Sequence, residues 1–94
     1  MLNSGLMDGL DRYTNPEQFS LKLANRLRSL RDERGLSQES VAHEAGISTY
    51  TYQKFEKGES KPGTPMNPRL YTLLALADVF EMDVRELLTF DGNP

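Results

Sequence analysis

The sequence predicts an all-α domain of five helices, and three observations lead to this fold class. Apolar residues recur every three or four positions along most of the chain, which is the spacing that gives a helix one buried face. Cap residues and glycines mark where the periodic segments begin and end. No segment has a convincing strand pattern, and no internal repeat is visible.

Helix 1 is predicted to begin at Asn15-Pro16. Asparagine is a favoured N-cap residue, proline suits the first helical position, and Gln18 follows the cap by three residues. Gly35 is expected to end the helix as a left-handed C-cap. The apolar face consists of Phe19, Leu23, Leu27 and Leu30.

Helices 2 and 3 are short and joined by a tight turn. Ser37 caps helix 2, which extends to about Ala45, and Gly46 makes the turn. Ser48 caps helix 3, which extends to about Lys57 and ends at Gly58. The residues expected to face inward are Val41, Ala42, Ala45, Ile47, Tyr52 and Phe55. Those expected to face outward are Thr49, Tyr50, Gln53 and Lys54.

The last third of the chain is predicted to hold a loop and two more helices. Residues 61–65 contain two prolines and a glycine, which favour a loop. Asn67-Pro68 repeats the cap-plus-proline signature and opens helix 4, whose core stripe is Leu70, Leu73, Leu74, Ala77 and Phe80. Asp83 caps helix 5, with Glu86 placed as in a capping box. The apolar residues of helix 5 are Leu87, Leu88 and Phe90.

A chain of 94 residues is long enough for one domain and too short for two. We expect a flexible N-terminal arm over residues 1–14, the domain over residues 15–90 and a C-terminal tail over residues 91–94. Leucines at positions 2, 6 and 10 have helical spacing, so the alternative that the arm forms a helix on binding a partner remains open. Disorder is the favoured interpretation because the two glycines of the arm oppose helix formation.

Composition excludes several classes of protein. The absence of cysteine rules out disulfides and thiolate metal sites, and a single histidine is no metal site. No apolar run approaches the roughly 20 residues of a membrane span, and no secretory signal is visible, so a cytoplasmic protein is expected. The net charge of −3 argues against nucleic acid, but residues 20–61 hold eight basic and six acidic residues. This local excess would favour phosphate contacts.

Residues 35–58 have the layout of a helix-turn-helix, whose second helix enters the DNA major groove. The matching elements are Arg31, Gly35-Leu36-Ser37-Gln38, Ala42, Gly46-Ile47-Ser48, Glu56-Lys57-Gly58, Pro62 and residues 73–77. In this order and spacing they resemble the Cro/Xre family of phage repressors. The resemblance covers more than half of the chain and implies a lambda-repressor-like DNA-binding domain.

The resemblance also implies residue roles. Gln38 would bond a phosphate and orient helix 3, and Ser48 would cap that helix near another phosphate. Base edges would be reached by Thr49, Tyr50 and Lys54, with Gln53 at a base or the backbone, and phosphates by Lys57 and Lys61. Arg31 and Glu56 match a structural ion pair. Lys54 as a guanine contact and Lys54 as a phosphate contact remain equal alternatives.

Two positions depart from the family pattern. Tyr52 occupies a core position usually held by a β-branched aliphatic residue, so its hydroxyl needs a partner. The segment between residues 59 and 67 is longer than the usual link. No nucleophile with its base, no paired acid and base and no glycine-rich phosphate loop is visible, so neither an enzyme nor a cofactor is expected.

We therefore expect a sequence-specific regulator that binds double-stranded DNA, most simply a repressor. One helix in one groove gives limited affinity, so a homodimer on a palindromic operator is expected, with half-sites about 34 Å apart. Leu87, Leu88 and Phe90, with the end of helix 4, are the candidate dimer surface. The alternative is an antitoxin that binds a toxin partner and represses its own promoter. A restriction-modification controller is a third option.

Overall fold

The computed structural model describes residues 15–90, which form five helices and one β-hairpin. The helices are α1 (Pro16–Arg34), α2 (Gln38–Ala45), α3 (Thr49–Lys57), α4 (Leu70–Val79) and α5 (Val84–Leu87). The strands are β1 (Glu59–Lys61) and β2 (Thr64–Pro65), which pair antiparallel between α3 and α4. The predictions for residues 1–14 and 91–94 lie outside the described residues.

The first three helices begin and end where their cap residues place them. The side chains of Asn15, Ser37 and Ser48 each accept a hydrogen bond from the backbone N–H three residues on, at 3.0–3.1 Å. This satisfies a donor that the helix itself leaves unpaired. Gly46 ends α2 with a φ of 76°, a left-handed conformation that is costly for residues with a β-carbon.

The core lies where α3 packs against both α1 and α2, with α4 closing the far side of α2. The predicted inward face of α1 is confirmed, because Leu23, Leu27 and Leu30 are at most 3% exposed. Tyr52 and Phe55 of α3 are buried beside them. The remaining members of this core are Val41, Ala42, Leu73, Leu76, Ala77, Phe80 and Leu87.

The prediction that the chain lacks strands is wrong, because residues 59–65 form a β-hairpin rather than a plain loop. Gly63 turns the hairpin with a φ of 82°. Pro65 is tolerated because a strand of two residues at a sheet edge needs few ladder hydrogen bonds. Met66 then anchors the end of the hairpin: its N–H donates to the Gly58 carbonyl (2.9 Å), and its carbonyl accepts from the Ser20 hydroxyl (2.7 Å).

Helix α4 begins later and is rotated relative to the prediction. Its N-cap is Arg69, which makes no side-chain cap bond, and Asn67-Pro68 lies in the link before it. The buried stripe includes Leu76, whereas Leu70 and Leu74 are 64% and 42% exposed. Helix α4 is apolar on most of its circumference, so two stripes fit the helical period and packing on α2 selects one of them.

Helix α5 has the predicted cap but not the predicted apolar surface. The Asp83 side chain accepts from the Arg85 N–H (2.7 Å), and the Glu86 side chain completes the capping box by accepting from the Asp83 N–H (3.1 Å). Leu87 is fully buried in the protomer core, so it has no surface to offer a second copy. Its place among the dimer candidates is therefore wrong. Leu88 and Phe90 are half-buried against the same core.

Candidate nucleic-acid interface

The outer face of α3, which consists of Thr49, Tyr50, Gln53, Lys54 and Lys57, stands away from the core. Consecutive members of this face are separated by one, three, one and three positions, which places all five side chains on one side of the helix. Tyr50 is 68% exposed. The Lys54 Nζ lies 4.4 Å from the centroid of the Tyr50 ring, a cation–π contact that holds the two side chains together.

The turn before α3 presents the start of the helix in a defined orientation. The Ser48 hydroxyl accepts from the Thr51 N–H (3.0 Å) and lies 2.9 Å from the Thr51 hydroxyl. The N–H groups of Thr49 and Tyr50 precede the first intrahelical bond, which Tyr52 donates to the Ser48 carbonyl. Free N–H groups at a helix start favour phosphate oxygens.

A groove separates α3 from the β-hairpin. Its α3 wall is formed by Tyr50, Gln53, Lys54 and Lys57, and its hairpin wall by Glu59, Ser60, Lys61 and Pro62. The structure thus brings three of the predicted cations together around one groove, and Glu59 is the acid that accompanies them. Lys61, which the sequence placed in a loop, lies on an edge strand of the hairpin.

Glu56 is the buried polar centre behind this surface. It is 4% exposed, and its carboxylate accepts hydrogen bonds from three side chains. Arg31 donates through Nε (2.6 Å) and Nη2 (3.1 Å), Tyr52 through its hydroxyl (2.5 Å) and Gln38 through Nε2 (3.0 Å). The ion pair of Arg31 and Glu56 therefore joins α1 to α3 in bidentate geometry, which is the strong form of this interaction.

These contacts shift the ionisation of the whole group. Burial alone would raise the pKa of Glu56, but hydrogen bonds from Arg31, Tyr52 and Gln38 outweigh it and hold that pKa below its usual value. The hydrogen bond to Glu56 raises the pKa of Arg31. Burial, and then the hydrogen bond to Glu56, raise the pKa of the Tyr52 hydroxyl. The carboxylate is therefore ionised and its donors keep their protons at neutral pH.

The arginines of α1 serve the fold. Arg28 donates to the Glu56 carbonyl (2.5 Å), and Arg31 donates a third bond to the Leu36 carbonyl (3.1 Å). Arg34 donates to the Phe80 carbonyl (3.0 Å) and lies over the Phe80 ring. Much of the positive charge counted along residues 20–61 thus holds helices together, and the cations around the groove are lysines.

Gln38, which the family resemblance places at a phosphate, also makes two hydrogen bonds within the protein. Its Nε2 donates to Glu56, and its Oε1 accepts from the Gln53 Nε2 (3.2 Å). Both ends of the Gln38 amide are therefore engaged within the protein. No local pattern indicates the bond between Gln38 and Gln53, because it joins residues of two helices that are 15 positions apart.

The hydrogen bond between Tyr52 and Glu56 could be predicted from the spacing of the two residues in the sequence. Tyr52 and Glu56 are four residues apart on one helix, so their side chains are neighbours on its surface. A buried tyrosine needs a partner for its hydroxyl, and Glu56 provides it. The departure from the family pattern at Tyr52 is therefore satisfied within α3 itself.

Over residues 15–90, no group of three or more histidine, cysteine, aspartate or glutamate side chains could hold a metal ion. Within the same range, none of the helices combines the length and the apolar content that a bilayer crossing needs.

Comparison with known proteins gives the chain a family. A family model described as a helix-turn-helix domain matches residues 22–90. The chain is 40% identical over 68 residues to the HTH-type transcriptional regulator DdrOP3 of Deinococcus deserti, covering 72% of this chain and 48% of that protein. It is 35% identical over 66 residues to the cryptic phage CTXphi transcriptional repressor RstR of Vibrio cholerae, covering 70% of this chain and 54% of that protein.

The chain thus spans about half the length of the curated relatives it matches. Among solved structures, it resembles the restriction-modification controller protein C.AhdI from Aeromonas hydrophila with a TM-score of 0.63 and 34% identity. That match covers 72% of this chain and 94% of the controller. The resemblance to the Cro/Xre type is confirmed, and the chain belongs to the helix-turn-helix family.

Proposed function

We propose that the chain is a sequence-specific regulator of transcription that binds double-stranded DNA with α3 in the major groove. The observation that carries this proposal is the outer face of α3, which is polar, is exposed at Tyr50, Gln53 and Lys57, and is backed by the buried contacts of Glu56. Rigid elements position base-contacting side chains more accurately than loops do. The names of the relatives support the same activity.

The phosphate backbone is proposed to follow the groove between α3 and the hairpin. Lys57 and Lys61 stand on its two walls and would contact successive phosphates. Lys54 is held over Tyr50 and is thereby directed along the outer face of α3, where it would reach a base edge or a phosphate. Ser48 and the first N–H groups of α3 would bind a phosphate at the other end of the helix.

Selection of bound sequences from random duplex DNA tests this proposal. The wild-type protein should recover a defined motif, and binding should weaken as salt rises. Lys57→Ala and Lys61→Ala should each reduce the slope of log affinity against log salt by about 1 without changing the motif. Lys22→Ala is the matched control, because Lys22 lines a different surface beside Asn25 and Phe90. A salt-dependent affinity with no recovered motif would refute sequence-specific binding.

We further propose that the protein acts as a homodimer, in a lambda-repressor-like arrangement. Exposed apolar side chains favour the start and middle of α4 as the contact, since Leu70, Tyr71 and Leu74 share one face and are 42–83% exposed. Leu88 and Phe90 remain candidates as well. The proposed mechanism is occupancy of a promoter, which requires no catalysis.

The molar mass in solution tests the dimer. Leu70→Asp should shift the protein toward the monomer, and aspartate at the first position of a helix does not oppose folding. Leu21→Asp is the matched control, because Leu21 is also a largely exposed leucine (55%) but lies on α1. A Leu70→Asp protein that keeps the wild-type mass would remove α4 from the interface.

A role as a restriction-modification controller is the second candidate, favoured by the match over 94% of C.AhdI. The genes beside the coding sequence distinguish the candidates. Neighbouring methyltransferase and endonuclease genes would support a controller. A neighbouring small toxin gene would instead support an antitoxin with a protein partner, and a promoter of phage genes would support a plain repressor.

A further inference from the structure

The buried carboxylate of Glu56 gives a fixed direction to a chain of hydrogen bonds that reaches the outer face of α3. An ionised carboxylate accepts hydrogen bonds and donates none. The Gln38 amide, 3.0 Å away, must therefore turn its NH₂ group toward Glu56. Glu56 is 4% exposed and also accepts from Arg31 and Tyr52, so the first acceptor of this series of hydrogen bonds is buried and held by two further donors.

The orientation of the Gln38 amide in turn determines the orientation of the Gln53 amide. With its NH₂ group on Glu56, Gln38 presents Oε1 on its other side, and this oxygen only accepts. Gln53 therefore turns its own Nε2 toward Gln38, at 3.2 Å. An isolated surface glutamine can present its amide in either of two orientations, but here the carboxylate selects one of them.

The groups that remain on Gln53 match one base. Gln53 is exposed on the outer face of α3 and keeps one N–H donor and its Oε1 acceptor. In the major groove, adenine offers the N7 acceptor beside the N6 donor, whereas guanine offers two acceptors and cytosine only a donor. A glutamine that presents a donor and an acceptor together pairs with adenine in bidentate geometry.

We infer that Gln53 recognises an adenine in the major groove, and that Gln38, bonded to Glu56, is the residue that positions it. This inference rests on the proposed function. It makes Gln53 a specificity-determining residue. It also makes Gln38 a positioning residue that touches no base.

The test compares three variants by selection from random duplex DNA: Gln53→Ala, Gln38→Leu and the control Gln18→Ala. Gln18 is an exposed glutamine in the first turn of α1. Wild type and the control should share a motif with an adenine that Gln53→Ala no longer selects. The preference for that adenine over other bases should fall roughly 5- to 150-fold in Gln53→Ala.

Replacing that adenine by 7-deazaadenine removes only the N7 acceptor and separates positioning from folding. The replacement should weaken wild type by fivefold or more, which is about 1 kcal/mol, and leave Gln53→Ala unchanged. It should weaken Gln38→Leu by less than wild type, because Gln53 then loses its fixed direction. A merely structural role of Gln38 would lower affinity for both duplexes equally and would overturn the positioning role.

Failure of this inference differs from failure of the proposed function. If wild type recovers a motif and Gln53→Ala recovers the same motif, Gln53 reads no base and the inference is wrong. If Gln53→Ala loses a preference for a base pair other than adenine–thymine, the inference is also wrong. If wild type recovers no motif, sequence-specific binding itself is refuted, and the inference is refuted with it.

Discussion

Removing the hydroxyl of Tyr52 should destabilise the domain by an amount that the structure allows us to estimate. In Tyr52→Phe, the ring stays in the core, where Tyr52 is 0% exposed, and only the 2.5 Å hydrogen bond to the Glu56 carboxylate is lost. Hydrogen bonds to charged groups contribute about 1.5–3 kcal/mol. The carboxylate keeps its bonds to Arg31 and Gln38, so it is not left without partners. The loss should lie in the lower part of the range, about 2 kcal/mol.

Urea denaturation followed by circular dichroism measures this loss. The midpoint should fall with no change in slope, because the surface exposed on unfolding is the same. A loss of about 2 kcal/mol corresponds to a melting temperature roughly 8–16 °C lower for a domain of this size. Tyr71→Phe is the matched control: it makes the same chemical change at a residue that is 83% exposed, and it should stay within about 0.5 kcal/mol of wild type.

The reasoning would be refuted if Tyr52→Phe were as stable as wild type while Tyr71→Phe behaved as expected. Such a result would mean that the Tyr52 hydroxyl loses as much hydration on burial as it gains from Glu56. A loss well above 3 kcal/mol would contradict the estimate in the other direction. It would indicate that Arg31 and Gln38 do not hold the carboxylate without the hydroxyl.

Three further predictions concern stability. Because the pKa of Glu56 is lowered in the folded state, its carboxylate stabilises the fold above the unfolded pKa of about 4.5, and this stabilisation is lost as pH falls through the folded pKa. Glu56→Gln should therefore be less stable than wild type at pH 7 and lose less stability below pH 4.5, as measured by urea midpoints across pH. Curves of midpoint against pH that run parallel for the two proteins would contradict the assignment. Gly46→Ala should cost about 1–2 kcal/mol of stability because of the positive φ at this position. Gly58→Ala should cost more, because a β-carbon at Gly58 would lie 3.3 Å from the side chain of Leu21, whereas a β-carbon at Gly46 would have no neighbouring atom within 4 Å. Equal melting temperatures for the two variants would refute this prediction. Ser48→Ala should lose about 1 kcal/mol of capping energy in the same assay, and an unchanged midpoint would show that the cap is dispensable.

The sequence determined the parts of this protein that depend on local chemistry. The boundaries of α1, α2 and α3 follow from Asn15, Ser37 and Ser48, because a cap acts on N–H groups within three residues of it. The glycines after these helices mark turns that other residues adopt at a cost. The buried face of α1 follows from spacing alone, since a helix that faces a single core must turn its one apolar stripe inward.

The tertiary structure decided what depends on contacts between distant segments. The hairpin at residues 59–65 is secured by Met66, whose partners Gly58 and Ser20 lie 8 and 46 residues away, so no local pattern shows it. Packing on α2 chose which of two apolar stripes of α4 is buried, and so exposed Leu70 and Leu74.

The candidate site divides in the same way. The sequence determined the outward residues of α3 and, through the family resemblance, the pairing of Arg31 with Glu56. Only the tertiary structure decided that Gln38 bonds Glu56 and Gln53 rather than facing solvent, and that Leu87 is in the core rather than on the surface. The physical reason is that periodicity assigns a residue to one side of its own helix, whereas its partner depends on which other helix packs there.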